Sequence, residues 1–146
     1  MAKPDVTFEL VNRKEVMRYL DRIKPRVMKA ARAGFMSGLE LVKNDAKSRA
    51  PYKTGTLKRS IDYEITDYPD GSFSGAVGTD LEYAPGIEYG RDPFWLDKPV
   101  KIEGVGWRWV KQHPGNKPQP FLRPAVYNNI EAVAQEVQAV INLTLK

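Results

Sequence analysis

Apolar and polar residues alternate along this chain with a period that changes several times, and each change marks an element. Val6, Phe8 and Leu10 alternate with Thr7 and Glu9, the period of a short strand. Asn12 and Glu15 have the spacing of a capping box, which predicts a helix start. Val16, Tyr19, Leu20 and Ile23 then share one helical face. Pro25 lacks a backbone donor and crowds the preceding turn, so it should kink the helix or restart it. Beyond it Val27, Ala31, Phe35, Leu39, Val42 and Ala46 carry an apolar stripe almost to Pro51. Gly34 and Gly38 lie near that stripe. Their missing side chains either let another element approach closely or merely weaken an exposed helix.

The period then changes. Ile61, Tyr63 and Ile65 alternate with Asp62, Glu64 and Thr66, a strand with one wet face. Pro69, Asp70 and Gly71 form a turn signal, and Phe73 and Val77 belong to a returning strand that ends near Gly78 and Thr79. Residues 81–90 read as a short turn or helical segment, and residues 91–105 show no clear period. Trp107 and Trp109 flank Arg108 in a further strand pattern, followed by a loop at residues 113–118. A last helix opens at Pro124 and runs to about residue 144, with Ile130, Val133, Val137, Val140 and Ile141 as its stripe.

These elements predict an α+β fold. A long N-terminal helix, kinked near Pro25, and a C-terminal helix pack on a small antiparallel β-sheet with a hairpin and a long loop. Residues 1–146 read as one domain, with an extended loop or arm at about residues 91–118.

Composition narrows the chemistry. Apolar residues make up 42% and charged residues 28%, values of an ordinary globular chain. The absence of cysteine removes disulfides, thiolate metal sites and thiol catalysis. The first residues lack the apolar core of a signal peptide, and no stretch is long enough to span a bilayer, so no membrane partner and synthesis in the cytoplasm are expected. His113 is the sole histidine, and Asp67, Asp70 and Asp80 lack the spacing of a calcium loop. With no phosphate loop and no nucleophile elbow, the expectation is no enzyme, no cofactor and no metal.

Net charge is +5, and it is unevenly spread. Residues 13–32 hold eight bases (Arg13, Lys14, Arg18, Arg22, Lys24, Arg26, Lys29, Arg32) against two acids, Glu15 and Asp21. Arg18, Arg22, Arg26 and Lys29 form a candidate basic face. It can meet nucleic acid or an acidic protein surface, or simply be a solvated helix face. Tyr19 is the segment's single aromatic, which argues against a stacking platform for single strands.

Two cassettes stand out as joints. In the first, Pro51 stops the long helix, Gly55 permits a reversal, Leu57 folds back as an anchor, and Thr54 and Ser60 can bond local backbone before a strand starts. In the second, Pro120, Phe121, Leu122, Arg123 and Pro124 deliver an extended segment into the last helix. There Phe121 and Leu122 should be buried and Arg123 left available for a carboxylate. Both could equally be joints and nothing more.

Taken in order with Val77-Gly78-Thr79, Tyr83-Ala84 and Ile87-Glu88-Tyr89-Gly90, the cassettes resemble the gene-product-ten-like tail-component family of long-tailed phages and prophages. The resemblance covers roughly residues 12–145. It departs at Tyr89 and Arg91, where the family has phenylalanine and threonine, and in a longer segment at residues 92–112. On that resemblance, Tyr83, Glu88 and Gly90 join the cassettes as motif residues. The resemblance implies a virion protein of the neck or tail, assembled in the host cytoplasm. It implies a ring of this chain, a hexamer, that joins head to tail or completes the tail. Its partners would be an adjacent neck or head-closure protein and tail-terminator or tail-tube proteins, with non-specific DNA in the lumen. Trp95, Trp107 and Trp109 are the candidate subunit interface, one of the three being expected in the core. The alternative is a basic nucleic-acid-binding protein that uses the helix at residues 13–32.

Overall fold

Two glycines decide how the long helices of this protein meet. The computed structural model describes residues 13–53 and 55–146; the expected strand at residues 6–10, Asn12 of the capping box, and Thr54 lie outside them. Helix α1 spans Arg13–Arg49 and the C-terminal helix, α4, spans Leu122–Leu145. They run antiparallel: Gly34 lies on Val137, Gly38 on Val133, and Asp45 on Asn129. A Cβ on Gly34 would sit 2.6 Å from the Val137 Cα, and one on Gly38 would sit 2.9 Å from the Val133 Cα. The glycines are therefore contact points, and the two backbones approach more closely than any larger side chain allows.

The stripe read from α1 is the core stripe from Ala30 onward. Leu39, Val42, Ala46 and Ala50 are buried, together with Leu57, Ile61, Ala84, Phe121 and Ala125. Upstream, Val16, Tyr19 and Leu20 are exposed, because α4 ends at the level of Arg26, whose guanidinium donates to the Thr144 carbonyl at 3.2 Å. Helix α1 continues unbroken through Pro25. The proline removes the bond to the Asp21 carbonyl but does not restart the helix.

The first cassette leads into a five-residue helix, α2 (Thr56–Ser60), before any strand begins. Strands β1 (Asp62–Asp67) and β2 (Phe73–Gly78) form the expected hairpin, with Ile65 opposite Gly75. Its inner face lies on α1: Phe73 meets Phe35 with ring centroids 5.4 Å apart, and Arg32 holds Asp67 through two bonds of 2.8 and 2.9 Å. Strand alternation leaves Asp62, Glu64, Ser74, Ala76 and Gly78 on the outer face.

After helix α3 (Ala84–Tyr89) the aperiodic segment proves to be a ribbon. Arg91 bridges Asn116, β3 (Phe94–Trp95) pairs with β6 (Gln112–His113), and β4 (Val100–Ile102) pairs with β5 (Gly106–Arg108). The nested registers make one long hairpin.

In α4 the apolar stripe needs a correction. Val133 and Val137 face α1, but Ile130 is exposed, and Asn129 takes the seam position instead. Its amide donates to the Asp45 carboxylate at 2.8 Å and to the Ala125 carbonyl at 2.7 Å, so the polar group is paired where it is partly covered.

Candidate functional site

Helix α4 starts without a cap of its own. The residue at its N-cap position is Phe121, whose ring cannot accept a hydrogen bond, and the proline-bearing approach offers no serine or aspartate. The acceptor comes from α3, 33 residues earlier. Glu88 Oε2 accepts from the backbone N–H of Phe121 at 2.7 Å and of Leu122 at 3.0 Å. Its Oε1 accepts from the N–H of Arg123 at 3.0 Å and from Arg123 Nε at 3.1 Å. The guanidinium also lies over the Tyr89 ring, 4.6 Å from its centroid.

Burial pushes the Glu88 carboxyl up, but the three backbone donors and the guanidinium outweigh it and hold it below its ordinary value. A carboxylate with four donors, at the positive end of a helix, stays ionised. It is the single buried charged residue among the described ones, at 3% exposure. All its acceptor directions are used, so it serves as a strut between α3 and α4 and not as a general base.

Gly90 closes the same joint. Its φ of 78° and ψ of 174° belong to glycine, and a Cβ there would meet the Pro118 ring at 2.8 Å. The Gln119 N–H donates to the Ile87 carbonyl at 2.7 Å, which ties the approach to the second cassette onto α3. Phe121 is fully buried, Leu122 and Pro124 are half-buried, and Pro120 is exposed.

The first cassette lies beside this joint. Pro51, Gly55 and Leu57 share with Tyr83, Ile87 and Gln119 the walls of a cleft of about 600 Å³. Ser60 donates to the Leu57 carbonyl at 2.8 Å and its hydroxyl lies 2.6 Å from that of Thr79, linking the end of α2 to the end of β2. The structure thus gathers both cassettes and the Glu88 segment around one joint, with Tyr83 partly exposed at its edge.

The other candidates stand apart from it. Trp95, Trp107 and Trp109 are exposed by 76%, 69% and 74% on the ribbon, so none of the three is a core residue. Among the described residues the ribbon's strands pair only with one another. Arg18, Arg22, Arg26 and Lys29 are exposed along α1. His113 is spoken for: its Nδ1 accepts from the Gly115 N–H at 3.0 Å, and its ring stacks on Phe94. Among the described residues no group of histidine, aspartate and glutamate could hold a metal, and no helix is long and apolar enough to cross a membrane.

Residues 14–90 match the profile of the family described as "Bacteriophage HK97-gp10, putative tail-component". The chain belongs to this family. Neither a curated protein nor a solved structure matches it. The gp10-like match takes in α1, the first cassette, the hairpin and Glu88, and it stops at Gly90. The tryptophan ribbon and the second cassette lie beyond it, so in this family member the Glu88 strut joins matched sequence to unmatched sequence.

What sequence reasoning missed is the role of Glu88. The available signal was negative: a helix start with no capping side chain, in a segment that must bury Phe121.

Proposed function

We propose that this gp10-like tail component forms a hexameric ring at the head–tail junction or the tail end of the virion and helps to join or complete the tail. Its neighbours along the axis would be a neck or head-closure protein and tail-terminator or tail-tube proteins. Assembly would take place in the host cytoplasm. The observation that carries this reading, given the family, is the ribbon with its three exposed tryptophans. Aromatic side chains dominate the energetics of protein interfaces, and a ribbon that buries none of its indoles at home offers them to a neighbour. A closed ring needs two different surfaces on each subunit. The rigid α1–α4 pair and the projecting ribbon supply surfaces of different shape.

Trp107→Ala and Trp109→Ala proteins should keep the wild-type circular dichroism spectrum and fail to restore infectious particles in a complementation assay. Normal particle yields from these variants would refute the ribbon as the working surface.

A second reading rests on the unpaired basic face. Arg18, Arg22 and Lys29 meet no carboxylate among the described residues, and they could contact duplex DNA in a lumen. Each phosphate contact would then add about 0.9 to the slope of log affinity against log salt. Absence of duplex binding at low salt removes that reading.

A further inference from the structure

Two charged surfaces of opposite sign are left uncovered by the described residues. The first is the free end of α1. Arg26 is the level at which α4 ends, so residues 13–25 project as about 20 Å of single helix. This end carries Arg18 and Arg22 on successive turns of one face, with Val16 and Leu20 exposed on the opposite one.

The second is the outer face of the β1–β2 hairpin and the turn after it. Between Ser60 and Gly90 the chain has no lysine or arginine. Asp62, Glu64 and Asp80 line a groove of about 510 Å³ that also has Ala76 and Gly78 in its wall. Asp67 is taken by Arg32, and Asp62 is paired with Lys43 at 3.6 Å, with Lys47 acting on it too. Glu64, Asp80 and Glu82 meet no cation among the described residues. Small residues beside a row of carboxylates leave room for a helix with long basic side chains.

These surfaces match each other, but one molecule cannot join them. The hairpin is held on α1 at Arg32 and Lys43, and the free end lies further along the same continuous helix. From Arg18 to Lys43 the rise is about 37 Å of rigid rod. The match can be satisfied only between copies, as a head-to-tail contact that repeats around an axis.

We infer that the free end of α1 of one copy lies in the acidic groove of the β1–β2 hairpin of the next. This rests on the ring reading above and adds a charged contact between neighbours to that of the ribbon. A second copy fits better than DNA, because DNA would pair the arginines and leave Glu64 and Asp80 without a cation, whereas a copy of this chain satisfies both surfaces in one contact.

The test uses the full-length chain in sedimentation velocity and negative-stain imaging, at about 0.1 M salt and at about 1 M, where the screening length falls from about 10 to about 3 Å. Three variants are compared with wild type: Arg18→Glu with Arg22→Glu, Glu64→Lys with Asp80→Lys, and all four changes together. All four side chains are exposed, so thermal melts should match wild type and show that the variants fold. The wild type should associate into rings at low salt and associate more weakly at high salt. Each single-surface variant should associate at least tenfold more weakly, and the fourfold variant should recover. If rings form but reversing either surface leaves association unchanged, this contact is wrong while the ring reading stands. A wild type that stays monomeric at both salts removes both. If Arg18→Glu with Arg22→Glu abolishes duplex DNA binding yet leaves association intact, the free end serves DNA and the inference is overturned.

Discussion

Glu88 and Trp95 are seven positions apart in the sequence, and each sits where the other's chemistry would be expected. The carboxylate is buried and the indole is three-quarters exposed. Residue type alone would reverse them. The difference lies in partners. Glu88 meets four donors, three of them backbone N–H groups at the uncapped start of α4, so burial leaves its carboxylate fully paired. Trp95 sits on a two-residue strand paired only with Gln112 and its neighbour, and that narrow ribbon has no second layer to cover an indole. A fold buries what it can satisfy or cover, and here the cover lapses along the ribbon and returns at Phe121.

The hardest way to break that contrast is at the strut. Glu88→Gln keeps the shape but swaps one acceptor oxygen for a donor that faces backbone N–H groups. It also removes the charge from the helix start. We expect a loss of about 3 kcal/mol, on the order of 10 °C in Tm for a domain of this size. The pH dependence identifies the cause. The folded carboxyl lies below its ordinary value of 4.5, so its contribution is complete above that value and is lost as pH falls through the lower folded one. Thermal melts of the two proteins should differ most at neutral pH and draw together as pH falls below the ordinary carboxyl range. A gap that stays constant into acid would mean that packing, not charge, does the holding.

Gly90→Ala tests the border between the two regions. No helix propensity offsets the cost here, because the residue lies outside α3. The backbone sits where almost only glycine goes, at about 1–3 kcal/mol for any other residue, and the new Cβ would press on the Pro118 ring and the Asn116 carbonyl. A drop of about 2 kcal/mol in urea unfolding is expected. A neutral result would show that the ribbon swings freely on its joint.

The same contrast explains what the sequence could and could not disclose. The stripes of α1 and α4 and the alternation of Tyr63, Ile65, Phe73 and Val77 were legible because each element is long enough to repeat its period. The ribbon was not, since its strands hold two or three residues each and cannot show alternation. Ile130 misled for a related reason. Asn129 occupies the seam because Asp45 waits there, a pairing between residues 84 positions apart. The helix of α1 upstream of Arg26 has a good apolar face with none of the described residues packed opposite it, which periodicity has no means of detecting. For the site, the two cassettes were located by their prolines and glycines. Their meeting through Glu88 was hidden, because a missing cap in Phe121 says that an acceptor is needed and not where it comes from.

The smallest expected effect falls on the largest side chains. Trp107→Ala and Trp109→Ala each remove an indole from water and not from a core, so neither leaves a cavity. Surface substitutions of this kind usually change stability by less than about 0.5 kcal/mol, which is roughly 2 °C or less here. Melting temperatures of both variants within that margin of wild type, next to the large fall of Glu88→Gln, would place the stability of this protein in the joint and leave the ribbon free for another task. A fall of 5 °C or more in either tryptophan variant, on the order of 1 kcal/mol or above, would mean that the ribbon's indoles pack within the subunit. The exposed surface on which the ring proposal relies would then be absent, and any failure of those variants to assemble would reduce to a failure to fold.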